Sequence, residues 1–287
     1  MLEIIAPRVT SLGESITVRR TLPTRGHTTI GAWCFADHYG PIGEAMDVGP
    51  HPHTELQTAS WLFSGEIEHR DSAGHHALVK PGELNLMTAG PGISHSEVST
   101  KPVRELHGVQ LWVALPAAAR HVDPSFETVP SEHVTEEDFT AKVFLGDWLG
   151  ARVHATTHSP LLGAELTLSA HAQRNFALNE SFEHGLLVDA GDVRIDGERI
   201  DPHHLVYLPR GTRNVTIETR TLARLLLLGG EPLGEKIVMW WNFIGRSHDD
   251  ILEYHERWES GALQSPIGDL TPRIPAPEMP NVHLKLR

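Results

Sequence analysis

Two short stretches carry the residue types best suited to chemistry. Gly49-Pro-His51-Pro-His53 sets two histidines two positions apart, and His95-Ser-Glu97 sets a histidine and a carboxylate at the same spacing. On an extended strand, residues i and i+2 face the same way, so each pair can project into one interior. Together the pairs offer three imidazoles and one carboxylate, a set that suits iron, manganese, nickel, copper or zinc. Strands facing one another across a barrel could bring the pairs together and leave coordination positions open for water or substrate. An isolated His-x-His is more often a pair of unrelated surface histidines, and spacing alone leaves both readings standing.

Such pairs need strands to hold them, and the chain is rich in strand signals. From residue 15 to about residue 230, short apolar stretches such as Ser60-Trp-Leu-Phe, Ala164-Glu-Leu-Thr-Leu and Leu222-Ala-Arg-Leu-Leu-Leu-Leu alternate with turn pairs. Ser64-Gly, Ala73-Gly, Pro81-Gly, Ala190-Gly, Asp196-Gly and Arg210-Gly are of this kind. Many short strands at even spacing indicate an all-β sandwich or barrel. The halves echo each other weakly, each reading as strand, glycine turn, strand, then a Pro/Gly turn and another strand. A duplicated barrel is the economical reading, with one domain over residues 1–138, a second over 139–287, and the Pro- and acid-rich stretch from Pro116 to Asp138 as the connection. Ser247 and Asp250 form a capping-box pattern before Ile251-Leu-Glu-Tyr-His-Glu-Arg-Trp, and Gly261 closes that helix. The proline-rich stretch after it reads as an extended tail lying against the body.

Composition removes several functions. A formal net charge of −13 argues against a nucleic-acid binder, which needs a basic face. No apolar run approaches the roughly 20 residues of a membrane-spanning helix, and the first residues lack the pattern of a secretory signal. A single cysteine, Cys34, excludes an intrachain disulfide and fits a reducing compartment, so a cytoplasmic location is expected, with a monomer as the default expectation. No phosphate-cradling Gly-rich loop and no Gly-x-Ser-x-Gly nucleophile turn is present. Met87, Cys34, Trp240 and Trp241 read as packing residues. His38 and His107 read as buried histidines satisfied by backbone, or alternatively as groups that orient metal ligands.

The chain resembles a pirin, a member of the cupin superfamily. The likeness runs through Phe35-Ala-Asp-His-Tyr-Gly-Pro, His51-Pro-His53, Leu62-Phe-Ser-Gly-Glu-Ile-Glu-His-Arg-Asp-Ser, the stretch from Met87-Thr-Ala-Gly to Glu97, and Leu106-His-Gly-Val-Gln-Leu-Trp-Val. The resemblance implies two stacked cupin barrels and one non-haem metal, usually Fe(II), in the N-terminal barrel. The family's four ligands fall on His51, His53, His95 and Glu97, and no metal is expected in the second barrel. Pirins commonly continue the first motif as Arg-Gly-Phe-Glu-Thr, where this chain has Thr54-Glu55-Leu56-Gln57-Thr58. Glu55 thus stands where glycine is usual, and Gln57 replaces a carboxylate and cannot act as a proton base.

The resemblance further implies one of two functions. The first is a quercetin 2,3-dioxygenase-type oxygenase that opens the central ring of a flavonol, with Glu97 as metal ligand and possible base. The second is a regulatory protein that contacts a protein partner and uses its metal to sense redox state.

Overall fold

The structure, a computed structural model, describes residues 2–12, 16–100 and 105–287. Among the described residues, strand pairing is antiparallel apart from one isolated bridge, and each half of the chain builds one large sheet facing one small sheet. In the first half the large sheet runs, in spatial order, Ser125–Pro130, Glu83–Thr88, Leu56–Ser64, Leu106–Ala114, Trp33–Ile42, Ile16–Leu22, Arg8–Leu12. Its small sheet runs Asp47–His53, Ile93–Ser99, Ile67–Asp71, His76–Val79. The second half repeats the plan. A large sheet is centred on Glu183–Ala190, Ala223–Gly230 and Leu161–Leu168, and a small one is built from Gln173–Ala177, Asn214–Thr219, Val193–Ile195 and Glu198–Ile200. The expected pair of cupin folds is present, but the sheets pack jelly-roll fashion instead of closing a continuous ring of hydrogen bonds.

The two large sheets lie face to face, which explains strands that are apolar without alternation. Leu225 and Leu227 point into the interior of the second half, while Leu226 and Leu228 join Trp33, Trp61, Val109, Leu111 and Phe144 in a core between the halves. A strand buried on both faces reads as an unbroken apolar run. Trp61 stacks on Phe144 at 4.6 Å and donates its Nε1–H to Glu165 at 2.9 Å, so the apolar seam has polar fixings.

Strand pairing also crosses the division of the sequence at residue 138. Glu3–Ile5 pairs with Leu205–Leu208 of the second half, and Glu132–Thr135 pairs with Phe139–Trp148. The turn signals work as their chemistry demands. Asp196-Gly197 joins Ile195 to Glu198 with φ of 47° and 80°, the two left-handed residues that a tight hairpin needs.

A hairpin of Val238–Trp240 and Phe243–Gly245 leads into the helix α1, His248–Glu259. The Ser247 hydroxyl accepts the Asp250 N–H at 3.0 Å, and the Asp250 carboxylate accepts the Ser247 N–H at 3.0 Å, completing the capping box. α1 buries Ile251, Tyr254 and Trp258. The tail then runs back over the first half, where the Ile274 N–H donates to the Pro50 carbonyl at 2.8 Å. No helix among the described residues is long and apolar enough to cross a membrane.

Candidate metal centre

The strand Asp47–His53 is an edge of the small sheet, a position that tolerates Pro50 and Pro52, which have no N–H to give to a ladder. Its partner Ile93–Ser99 sets His95 directly opposite His51, and the register shifts between His95 and Glu97. The two motifs therefore lie on neighbouring strands. The ligating nitrogens of His51, His53 and His95 lie within 4.8 Å of one another, while Glu97 falls in a separate group with His95 and His69, so His95 is the residue the two groups share.

Hydrogen bonds fix which nitrogen each ring presents. The His51 Nδ1–H donates to the Gly49 carbonyl at 2.9 Å, and the His53 Nδ1–H donates to the Asn242 carbonyl at 3.2 Å. A carbonyl only accepts, so both rings carry their proton on Nδ1 and show a bare Nε2. His95 is fixed through two further residues. The Asp71 carboxylate accepts the His69 Nε2–H at 3.2 Å, which leaves His69 Nδ1 to accept the His95 Nδ1–H at 3.3 Å. The bare Nε2 atoms of His53 and His95 then face each other at 3.1 Å. Two lone pairs at that distance repel unless a cation stands between them, and three imidazoles with a carboxylate are the donors a divalent transition metal takes. The residues fit such a metal.

Electrostatics favour ligation at neutral pH. Burial lowers the His51 pKa to about 4, and burial followed by repulsion from the neighbouring rings holds His53 and His95 well below the usual value. All three are neutral and ready to bind metal. Burial raises the Glu97 carboxyl to about 7, opposed by a weak hydrogen bond from the Ser60 hydroxyl at 3.4 Å. Burial also works to raise Asp71, but hydrogen bonds from His69 and the His75 backbone outweigh it and hold that carboxyl below its usual range.

These donors line a cavity of about 630 Å³. One wall is aromatic: Phe35 and Trp112 stack at 4.0 Å and 11°, and Trp112 meets His53 edge-on at 5.0 Å. Trp241 lines the same cavity instead of serving only to pack. It sits at the hairpin tip with φ of 51°, a costly conformation for a bulky residue that surrounding contacts must hold. The tail supplies the remaining side through Arg273, Ile274 and Pro275.

Several other sequence readings resolve differently. His38 and His107 satisfy neither expectation. Both donate from Nε2 to the Asp189 carboxylate of the second half, at 2.7 and 2.6 Å, while Arg224 donates to Asp189 at 2.7 Å and to His107 Nδ1 at 3.0 Å. They bind the halves together away from the metal donors. Burial works to raise Asp189, but these hydrogen bonds hold it well below the usual range. Met87 and Cys34, by contrast, are the core residues the sequence led us to expect, and burial pushes the Cys34 thiol up.

Glu55 has φ of 53°, which accounts for glycine being usual there in pirins. Its buried carboxylate accepts from Tyr254 Oη at 2.6 Å and from Arg246 at 3.0 Å, tying the end of the histidine-bearing strand to the C-terminal segment. Gln57 donates to Thr88 Oγ1 and to the Thr156 carbonyl, each at 2.9 Å, and does not line the cavity. The missing carboxylate is therefore not missing from the reactive space. His69 and Asp71 were passed over by sequence reasoning although His-x-Asp on a strand carries the same i, i+2 signal as the ligand pairs. Arg273 had no such signal.

Residues 15–113 match the family model described as Pirin, and residues 163–264 match that described as Pirin C-terminal cupin domain. A Pseudomonas aeruginosa protein named "putative quercetin 2,3-dioxygenase" is 39% identical over 98% of this chain and 91% of its own length. Human pirin is 31% identical over 86% of this chain and 88% of its own. A crystal structure of quercetin 2,3-dioxygenase from Acinetobacter baumannii superposes with a TM-score of 0.94 at 35% identity, covering 99% of this chain and 97% of that one.

Proposed function

From the premise that this chain belongs to the pirin family, we propose that it is a divalent-metal oxygenase of the quercetin 2,3-dioxygenase type, acting on a flavonol. His51, His53 and His95 would hold the metal through Nε2 and Glu97 through a carboxylate oxygen, with Fe(II) the first candidate and Mn, Ni, Cu and Zn admissible by donor type. When bound, the metal supplies a Lewis-acid position that lowers the pKa of a coordinating hydroxyl.

The residues of the cavity fit the rest of the task. The stacked Phe35–Trp112 wall offers a planar, apolar face to a fused-ring substrate. Glu97, on shifting off the metal, would be the carboxylate in the cavity lining that accepts the 3-hydroxyl proton. Two relatives that align over nearly the whole chain carry this activity in their names, at 39% and 35% identity.

The single observation that carries the reading is the convergence of bare imidazole nitrogens, 3.1 Å apart for His53 and His95, at the wall of an aromatic-lined cavity. The test compares wild type with His53→Ala, both loaded with Fe(II), for metal content and oxygen consumption on quercetin. The reading expects one metal and oxygen uptake with carbon monoxide release in wild type, and neither in the variant. Metal retention without oxygen uptake on any flavonol would remove the oxygenase and turn attention to a protein partner.

A further inference from the structure

We infer that this cavity binds an aromatic carboxylate, with Arg273 as the group that receives the anionic end. This rests on the reading of the cavity as the substrate site. Two arginines, Arg20 and Arg273, line the cavity, and they differ in a way that assigns their roles. Arg20 is neutralised: its Nε–H and an Nη–H both donate to Asp37, each at 2.7 Å, and its plane lies 4.2 Å from the centre of the Phe35 ring. Arg273 makes no ion pair among the described residues. It is held by other means, stacked 3.7 Å over the Trp258 ring and donating one N–H to the Trp258 carbonyl. Its backbone is pinned on both sides of Ile274, whose N–H donates to Pro50 and whose carbonyl accepts the Trp258 Nε1–H at 2.9 Å.

The result is a half-buried, oriented, unneutralised cation at the wall of an aromatic cavity. A guanidinium fixed by stacking has already lost most of its rotamer freedom, so little more is lost when it forms a bidentate bond to a planar anion. The chain has 37 acids against 24 lysines and arginines, so a carboxylate partner would have been easy to supply from the fold. Arg273 instead shares the lining of the cavity with Phe35, Trp112 and Trp241, rings that suit a flat ligand. A ligand with an aromatic body and a carboxylate matches both features.

The carboxylate could belong to the substrate, or to the product of the proposed reaction, because opening a flavonol's central ring yields an aromatic acid. Isothermal calorimetry with 2-naphthoate and the neutral 2-naphthamide tests the shared chemistry on metal-free and Fe(II)-loaded protein. Wild type should prefer the carboxylate by at least about tenfold, as charge-assisted bonds exceed neutral ones. Arg273→Gln should lose that preference while binding the amide unchanged, and Arg273→Lys should recover part of it. His53→Ala should keep the preference, which separates Arg273 from the metal as the anion's partner. Equal affinity for the two probes in wild type, or a preference that survives Arg273→Gln, overturns the inference.

Quercetin turnover then identifies the source. If Arg273→Gln leaves the quercetin KM intact but relieves inhibition by 2-naphthoate, the carboxylate belongs to the product. If wild type consumes no flavonol yet binds 2-naphthoate through Arg273, the carboxylate belongs to another substrate, and the oxygenase proposal falls while this inference stands.

Discussion

His69→Phe probes the relay that aims His95. The replacement keeps a flat ring stacked on Phe126, which lies 4.4 Å from His69 at 26°, so volume and packing change little. What disappears is the acceptor for the His95 Nδ1–H, at 3.3 Å, and the donor to Asp71, at 3.2 Å. Both bonds are long, so each is worth toward the lower end of about 0.5–1.5 kcal/mol net. The larger cost is the N–H of His95 left buried without a partner, about 1–3 kcal/mol. His95 then has less reason to keep its proton on Nδ1, and the tautomer with a bare Nε2 loses its advantage. Since 1.4 kcal/mol is a factor of ten, metal affinity should fall about ten- to a hundredfold. A competitive titration of Fe(II) or Zn(II) against a chelator measures this directly, with circular dichroism confirming that the fold is intact. An affinity within twofold of wild type would refute the relay and leave His95 oriented by backbone geometry alone.

Three further expectations follow from the same geometry. Adding metal at a hundred times its dissociation constant should stabilise the fold by about 2.7 kcal/mol. At roughly 2.1 cal/mol/K per residue, that raises Tm by about 4 °C, and chelation should reverse the shift in differential scanning calorimetry. Glu55→Ala leaves Arg246 and Tyr254 without their buried partner and should cost about 3–5 kcal/mol in urea unfolding, while Glu55→Gly should be about 1 kcal/mol less severe because glycine accepts the φ of 53°. An Ala variant as stable as wild type would dismiss the Glu55 anchor. His184 is buried with neither ring nitrogen bonded, and burial lowers its pKa from 6.5 to about 4. The folded state therefore binds fewer protons than the unfolded chain between those values. Stability is intact above pH 6.5 and declines as pH falls toward 4, by about 3 kcal/mol in all. His184→Leu should flatten that part of the profile, and an identical slope in variant and wild type would show that His184 does not titrate this way.

The proposed donors were legible because strand geometry turns spacing into direction. Two i, i+2 pairs on strands must each share a face, and the cross-strand match of His51 with His95 does the rest. His69 and Asp71 carry the same signature, within a stretch whose plainest feature is its family likeness. The all-β class and the capped helix were legible for local reasons, since turns and caps are decided within a few residues. What stayed hidden depends on contacts far apart in sequence. Nothing local says that Glu3–Ile5 would join a sheet of the other half, or that His38 and His107 would find Asp189 and Arg224. The apolar run Leu225–Leu228 announces burial on two faces but not which surfaces cover them. Arg273 is hidden for the same reason, because its meaning comes from a cavity built by residues at the other end of the chain.

The tail's position beside the metal donors bears on how the protein is made. His51, His53, His95 and Glu97 emerge from the ribosome long before Arg273, Ile274 and Pro275, which form one side of their cavity. A nascent first half thus presents its donors through an open side, and the cavity acquires its last wall, its unpaired cation and the covering of its proline-bearing edge strand together. Acquisition of the metal can precede closure, so the order of synthesis leaves an interval in which the donors are reachable by ions from solution before the tail settles over them.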